Sequence, residues 1–208
     1  MKLLYCVVHT ELHKHREKNI LSTWGKDKDI VFYGDYELPN NPTLLKVSSR
    51  SDYASGEEKQ INAIPKLTIT HNQYDWYYFC DNDTFVNTKL LEKFYLSCDQ
   101  DKVYGELGNE WPQDRSLFYF MGGAGFLMSN KTLNFLSDKI FHNPVMWGDV
   151  SIGINFRHFN IETVDRKDIF HSQSPQFYNI PYSDIKNHIS FHYIKDIDTM
   201  QSLLEYCQ

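Results

Sequence analysis

Blocks of apolar and polar residues succeed one another along the chain in a pattern that predicts strands and helices in turn. Leu3–Val8 (LLYCVV) is continuously apolar, as expected of a short strand covered on both faces. From Leu12 to Trp24 charge dominates, with Leu12, Ile20 and Leu21 at helical spacing and Gly25 as the stop signal. Ile30–Tyr33 is a second strand, which completes a β-α-β opening. Residues 36–51 contain Pro39, Pro42 and two asparagines and read as an irregular surface connection. A helix is predicted over Glu57–Thr70, with Pro65 a threat to its continuity. The aromatic run Asp75–Cys80 (DWYYFC) predicts a strand, Thr88–Cys98 an amphipathic helix and Lys102–Gly105 another strand. Leu117–Met128 is apolar but broken by Gly122-Gly123-Ala124-Gly125, after which Ser129-Asn130 caps a helix from Lys131 to Ser137. Gly148–His158 predicts a helix and Ile161–Val164 a short strand. Two histidine-centred strings follow, Ile169–Ser172 and Ser190–Tyr193, before a last helix over Asp196–Tyr206. The alternation predicts an α/β fold with a mostly parallel central sheet flanked by helices.

Composition narrows the functional classes. A chain of 208 residues that is 41% hydrophobic and 15% aromatic can bury a substantial core, which excludes a disordered protein. The net charge of −6 argues against a nucleic-acid surface, because neutralising phosphates needs a surplus of Lys and Arg. No window approaches the roughly 18 apolar residues of a membrane span. Cys6, Cys80, Cys98 and Cys207 form no C-x-x-C pair, so neither a zinc knuckle nor a redox motif is indicated. Cys6 and Cys80 lie in strand-like runs and read as buried free thiols of a reducing compartment. The expectation is a soluble, cytoplasmic protein with no nucleic-acid partner and no membrane insertion.

The densest candidate chemistry is Asp81-Asn82-Asp83-Thr84, which directly follows a strand. Two carboxylates one residue apart at a strand's carboxyl end point into the crevice where open α/β sheets bind ligands. There they can hold a hard divalent cation while leaving positions free for a diphosphate. The same four residues would also make an ordinary Asx-rich turn. Glycine is costly inside an apolar run, so Gly122–Gly125 marks either a tight bend or close approach of backbone to a ligand. Asp149, at the start of a predicted helix, is either a complement to the helix dipole or a general base. Trp147 beside it could stack on a sugar face or pack in the core. His171 and His192 each follow a Phe, and either could add a ring nitrogen to a metal shell; spacing does not choose between them. No G-x-S-x-G elbow, P-loop, H-E-x-x-H or G-x-G-x-x-G string is present. Asp81 and Asp149 could nominally flank a glycosidic bond as in a glycosidase, but D-x-D is a metal arrangement.

Taken in order, these strings resemble the Fringe and core-1 β1,3-galactosyltransferase group of inverting glycosyltransferases. Arg16–Trp24 (REKNILSTW), Asp75–Asn87 (DWYYFCDNDTFVN), Gly122–Ser129 (GGAGFLMS), Gly148–Gly153 (GDVSIG), Phe170–Ser172 (FHS) and Ser190–Met200 (SFHYIKDIDTM) carry the resemblance across nearly the whole chain. It implies a GT-A fold over residues 1–208, with a Rossmann-like nucleotide-binding half at about 1–105 and an acceptor-binding half at about 106–208. It further implies a UDP-sugar donor, Mn²⁺ (or Mg²⁺), a glycan or glycoprotein acceptor, and in-line displacement with inversion. By the same resemblance Asp149 is the catalytic base, and Asp81, Asp83 and His171 hold the metal. His9, Thr10, Arg16, Asp81, Asn82, Gly122 and Gly123 would line the nucleotide-sugar pocket, and Trp147, Gly125 and His192 would face acceptor or sugar. The chain departs from the family pattern at Asn82, in the middle of the acidic triplet, and at Gly148, where an acid is usual. It also lacks the anchor, stem and paired cysteines of Golgi members, which fits a bacterial or viral version in the cytosol (host cytoplasm in the viral case) or one module of a longer multidomain glycosyltransferase. Two alternatives stand beside this reading: a non-catalytic nucleotide-sugar or carbohydrate-binding module, and a retaining GT-A transferase. Residues 108–117 and 173–187 are the candidate acceptor loops.

Overall fold

The computed structural model describes residues 1–37 and 43–207. The strands are β1 (Leu3–Val8), β2 (Ile30–Gly34), β3 (Leu44–Lys46), β4 (Trp76–Cys80), β5 (Phe85–Val86), β6 (Lys102–Gly105), β7 (Leu107–Gly108), β8 (Tyr119–Phe120), β9 (Phe126–Ser129), β10 (Glu162–Asp165), β11 (Phe170–His171) and β12 (Ser190–Phe191). The helices are α1 (His15–Ser22), α2 (Gly56–Thr70), α3 (Thr88–Phe94), α4 (Asn130–Ser137), α5 (Gly148–His158) and α6 (Ile197–Glu205). Among the described residues no helix is long and apolar enough to cross a membrane.

Seven strands form the central sheet in the order β10-β6-β9-β4-β1-β2-β3. All neighbours are parallel except β9, which runs antiparallel to both β4 and β6. The apolar runs follow from cover on both faces. Tyr5, Val7, Trp76 and Tyr78 pack towards Ile20 of α1, Leu91 of α3 and Met200 and Leu203 of α6. Their sequence neighbours Leu4, Cys6, Tyr77 and Phe79 pack on the other side, against α2, α4 and α5. The four cysteines are free, with Cys6 and Cys80 buried as expected.

Topology decides where a ligand can sit. From β1 the chain winds outward to β2 and β3, then returns to place β4 on the other side of β1. The β1/β4 boundary is therefore a topological switch point, and the crevice at its carboxyl end is the default ligand site of an open α/β sheet. His9-Thr10 leave β1 there, and Asp81-Asn82-Asp83 leave β4 beside them.

Several local expectations are revised. The connection over residues 36–51 contains β3, an edge strand that among the described residues pairs with β2 alone; three residues with a single partner leave too short an alternation to read. Pro39 and Pro42 lie outside the described residues. The first predicted helix is split into a 3-10 turn, Glu11–His13, and α1. The third ends as α-helix at Phe94 and tightens to a 3-10 turn over Tyr95–Ser97. Pro65 does not interrupt α2, because Ile61, Ala63, Ile64 and Leu67 bury the same helix on both sides of it.

Candidate active site

The turn after β4 is held from three directions. Trp24 donates its indole N–H to the Thr84 carbonyl at 2.9 Å, Thr84 Oγ1 donates to Gly123 O at 2.8 Å, and Ile194 N donates to Asp83 O at 2.8 Å. Arg16, on α1, reaches across with Nη1 2.9 Å from Asn82 Oδ1 and 3.3 Å from Asp83 Oδ2. The guanidinium expected in the nucleotide pocket is thus tied to the acidic turn, and Asn82 serves as its anchor. Where the family pattern has a carboxylate, a neutral amide makes that contact.

A three-stranded sheet, β11-β12-β5, supplies the histidine. β12 runs antiparallel to β5, with Phe191 opposite Phe85 and Ser190 opposite Val86, so the residue after β12 lands beside the residues before β5. That residue is His192. Its Nε2 lies 3.1 Å from Asp83 Oδ1 and 3.5 Å from Asp81 Oδ2, and its Nδ1 lies 3.3 Å from the Ser172 carbonyl. One ligand atom from each of Asp81, Asp83 and His192 falls within 4.8 Å of the others.

His171 is not part of this group. It lies on β11, one strand further out; its Nε2 pairs with His188 Nδ1 at 2.7 Å and its ring stacks on Phe191. Of the two histidines between which spacing did not choose, His192 is the one that joins Asp81 and Asp83 in a candidate ligand group.

The glycines divide the remaining work. Gly123 lies under the His192 ring: a Cβ there would come within 2.1 Å of His192 Nδ1. Gly122 donates its N–H to Asp149 Oδ2 at 3.2 Å. Gly125 is buried against the Tyr78 hydroxyl and the Phe79 carbonyl with φ +80°, a turn that glycine makes without strain. His9 is likewise buried, with Nδ1 2.8 Å from Glu17 Oε1 and its ring against Tyr36, so it shapes the wall of the crevice rather than meeting solvent. Thr10 donates to Asp35 Oδ2 at 3.0 Å and secures the same rim.

Asp149 sits in the first turn of α5, where its other oxygen, Oδ1, accepts from Val150 N at 2.8 Å. It borders a cavity of about 150 Å³ together with Asp81, Gly122, Trp147, Tyr53, Met146, Tyr33 and Gln60. Sequence reading missed Tyr53, Met146, Tyr33 and Gln60. A signal was available for the last: α2 carries polar Glu57 and Gln60 at the helical spacing of its buried Ile61 and Ile64, and polar residues on a core face need partners.

The acidic groups and the imidazole of this cluster shift one another's protonation. Burial raises the Asp81 carboxyl to about 6, and the neighbouring charges of Asp83 and Asp149 push the same way against His192. Burial also tends to raise Asp83, but the hydrogen bond and charge of His192, with Arg16 and Lys195, hold it below the ordinary value. Burial disfavours the His192 imidazolium, yet the Asp83 hydrogen bond and the two carboxylates leave its pKa raised. Asp149 is raised chiefly by burial, opposed by the N–H groups of Gly122 and Val150.

The Fringe-like family profile matches residues 3–204. The chain belongs to the Fringe-like family. It is 25% identical over 205 residues to a mouse β-1,3-glucosyltransferase, covering 94% of this chain and 41% of the mouse protein. It therefore spans about two fifths of that relative's length. Among solved structures it resembles a glycosyltransferase involved in the glycosylation of the major capsid of PBCV-1, with a TM-score of 0.56 over 99% of both chains at 10% identity. At 10% identity that likeness is one of fold, and it agrees with the family match.

Proposed function

We propose that the domain transfers a sugar from a UDP-linked donor to a hydroxyl of a glycan or glycoprotein, with inversion, using a divalent cation and Asp149 as base. The observation that carries this reading is the position of Asp149 on the same cavity as Asp81, whose other neighbours are Asp83 and His192. Two carboxylates and an imidazole nitrogen on one small volume make an oxygen-rich set with one nitrogen, which suits Mn²⁺ and admits Mg²⁺. Asp81, Asp83 and His192 would hold the ion. Bound there, it would neutralise charge building on the departing diphosphate.

The protein's own part is positioning and proton transfer. The acceptor oxygen attacks the anomeric carbon as the bond to the diphosphate oxygen breaks; UDP departs with that electron pair, and the acceptor's proton passes to Asp149. The N–H groups of Gly122 and Val150 fix the carboxylate's orientation. Asp81 and Asp149 are the carboxylates bordering the cavity, and Asp81 is committed to the cation set. One free carboxylate suits a single displacement with inversion better than a retaining double displacement. The name of the mouse relative makes glucose the first sugar to test.

Calorimetric titration of UDP with and without Mn²⁺, on the wild type and Asp83→Ala, tests the donor site. Metal-dependent binding lost in the variant supports it. No UDP binding to the wild type under either condition refutes the donor assignment.

A further inference from the structure

We infer that Gln60 reads a hydroxyl of the transferred sugar and so helps to set donor specificity; this rests on the donor reading above. Among the described residues, the buried side-chain polar atoms without a partner are His9 Nε2, Arg16 Nε, Gln60 Nε2, Trp76 Nε1 and His171 Nδ1. Of these five residues, Gln60 is the one that borders the cavity shared by Asp81 and Asp149.

Its neighbours on α2 are already engaged. Lys59 Nζ lies 3.7 Å from Asp35 Oδ2, and Glu57 accepts from Asn143 N at 2.9 Å and from Ser151 Oγ at 3.2 Å. Gln60 has a single strap, the Tyr33 hydroxyl donating to Oε1 at 2.7 Å. That bond fixes the plane of the amide and leaves its other end free. Turned the opposite way, the amide would pair its nitrogen with the Tyr33 oxygen and leave Oε1 free instead, so one polar end is unpaired in either orientation. A buried amide end with no partner costs free energy unless something arrives to pair with it. A sugar hydroxyl both donates and accepts, so it satisfies either orientation.

The location suits the sugar rather than the nucleotide. Gln60 packs beneath the amino end of α5, where a Cβ on Gly148 would come within 2.8 Å of Gln60 Cβ. Its cavity opens between Asp81 and Asp149, where the anomeric carbon must lie if Asp149 takes the acceptor proton. A site built to hydrogen-bond a hydroxyl rejects analogues lacking it far more strongly than an apolar pocket rejects a misfit. Gln60 is therefore a device for discrimination among hexoses.

The test compares the affinities of UDP, UDP-glucose, UDP-galactose and UDP-N-acetylglucosamine, each with Mn²⁺, for the wild type and Gln60→Leu. The wild type should bind at least one sugar nucleotide more tightly than UDP, and Gln60→Leu should lose about tenfold or more of that increment at unchanged UDP affinity. An increment retained in Gln60→Leu, or a wild type that gains nothing from any sugar, overturns the inference and leaves the donor reading intact. Absence of UDP binding to the wild type removes the donor reading and the inference with it. If Gln60→Leu fails to bind even UDP, Tyr33→Phe decides: a reduced sugar increment at unchanged UDP affinity supports the role of the fixed amide, and an unchanged increment overturns it.

Discussion

Two adjacent glycines should respond in opposite ways to the same substitution. A Cβ at Gly123 would meet His192 Nδ1 at 2.1 Å and the ring's Cε1 and Cγ at 2.3 Å. Ordinary contact begins near 3.5 Å, so the imidazole must retreat by about 1.4 Å. It has no easy route: Asp83 holds Nε2 at 3.1 Å and the Ser172 carbonyl lies 3.3 Å from Nδ1. Overpacking of this kind costs about 1–3 kcal/mol. A ligand set tolerates misplacement of only about 0.5 Å, so Mn²⁺ affinity should also fall, by about 10–100-fold. A Cβ at Gly122, one residue earlier, would meet Asp149 atoms at 3.4 Å, an ordinary contact, and its three nearest neighbours all belong to Asp149. Gly122→Ala should therefore keep both stability and metal affinity. Thermal denaturation and Mn²⁺ titration of the two variants, measured side by side, check this. Equal behaviour of the pair, or full Mn²⁺ binding by Gly123→Ala, would refute the argument that Gly123 exists to seat His192.

Three further outcomes follow from other parts of the molecule. Asp149→Asn should lower kcat by about 10²–10⁴-fold with UDP affinity nearly unchanged; because burial raises the Asp149 pKa, the acid limb of the wild-type kcat/KM profile should lie above the ordinary carboxylate range, and a limb at or below about 4 contradicts the assignment. His171, lowered by burial and by His188 from 6.5 to about 4, cannot take up a proton that the unfolded chain binds readily, so wild-type stability should fall as pH drops from 6.5 towards 4. A fully sealed ring would lose about 3 kcal/mol over that window; His188 is only half-buried, and solvent screening leaves about 1–2 kcal/mol. Denaturant melts should show this slope flattened in His171→Phe, which should also keep Mn²⁺ binding; loss of the metal would return His171 to the ligand set. Glu57, nearly buried, ties α2 to the segment before α5 by accepting from Asn143 N and Ser151 Oγ with His142 beside it. Glu57→Ala should cost about 2–4 kcal/mol by leaving those donors unpaired, and a melting temperature equal to wild type would show the bridge to be idle.

How far the site could be read in advance depended on whether each residue's role is local in sequence. Asp81 and Asp83 were legible because a buried aromatic strand running into two carboxylates fixes their position within a few residues of chain. Asp149 was legible for the same reason, being in the first turn of a helix whose start the sequence marks. The choice between His171 and His192 was not local. Both follow a Phe, and both strings form two-residue strands. What separates them is that β12, not β11, pairs with β5, a contact spanning more than a hundred residues that leaves no periodicity behind. Gly125 is a related case: a glycine at positive φ and a glycine beneath a ligand look alike in sequence, and only the fold shows the Tyr78 hydroxyl where its Cβ would be. Gln60 went unread because helical periodicity rewards apolar residues and passes over polar ones on the same face. Yet a polar side chain kept on a core face at a cost, with one end unpaired, is better evidence of a ligand than another exposed carboxylate would be. In this fold the candidate metal set is written in the strand ends, whereas the residue proposed to choose the sugar lies within an otherwise ordinary amphipathic helix.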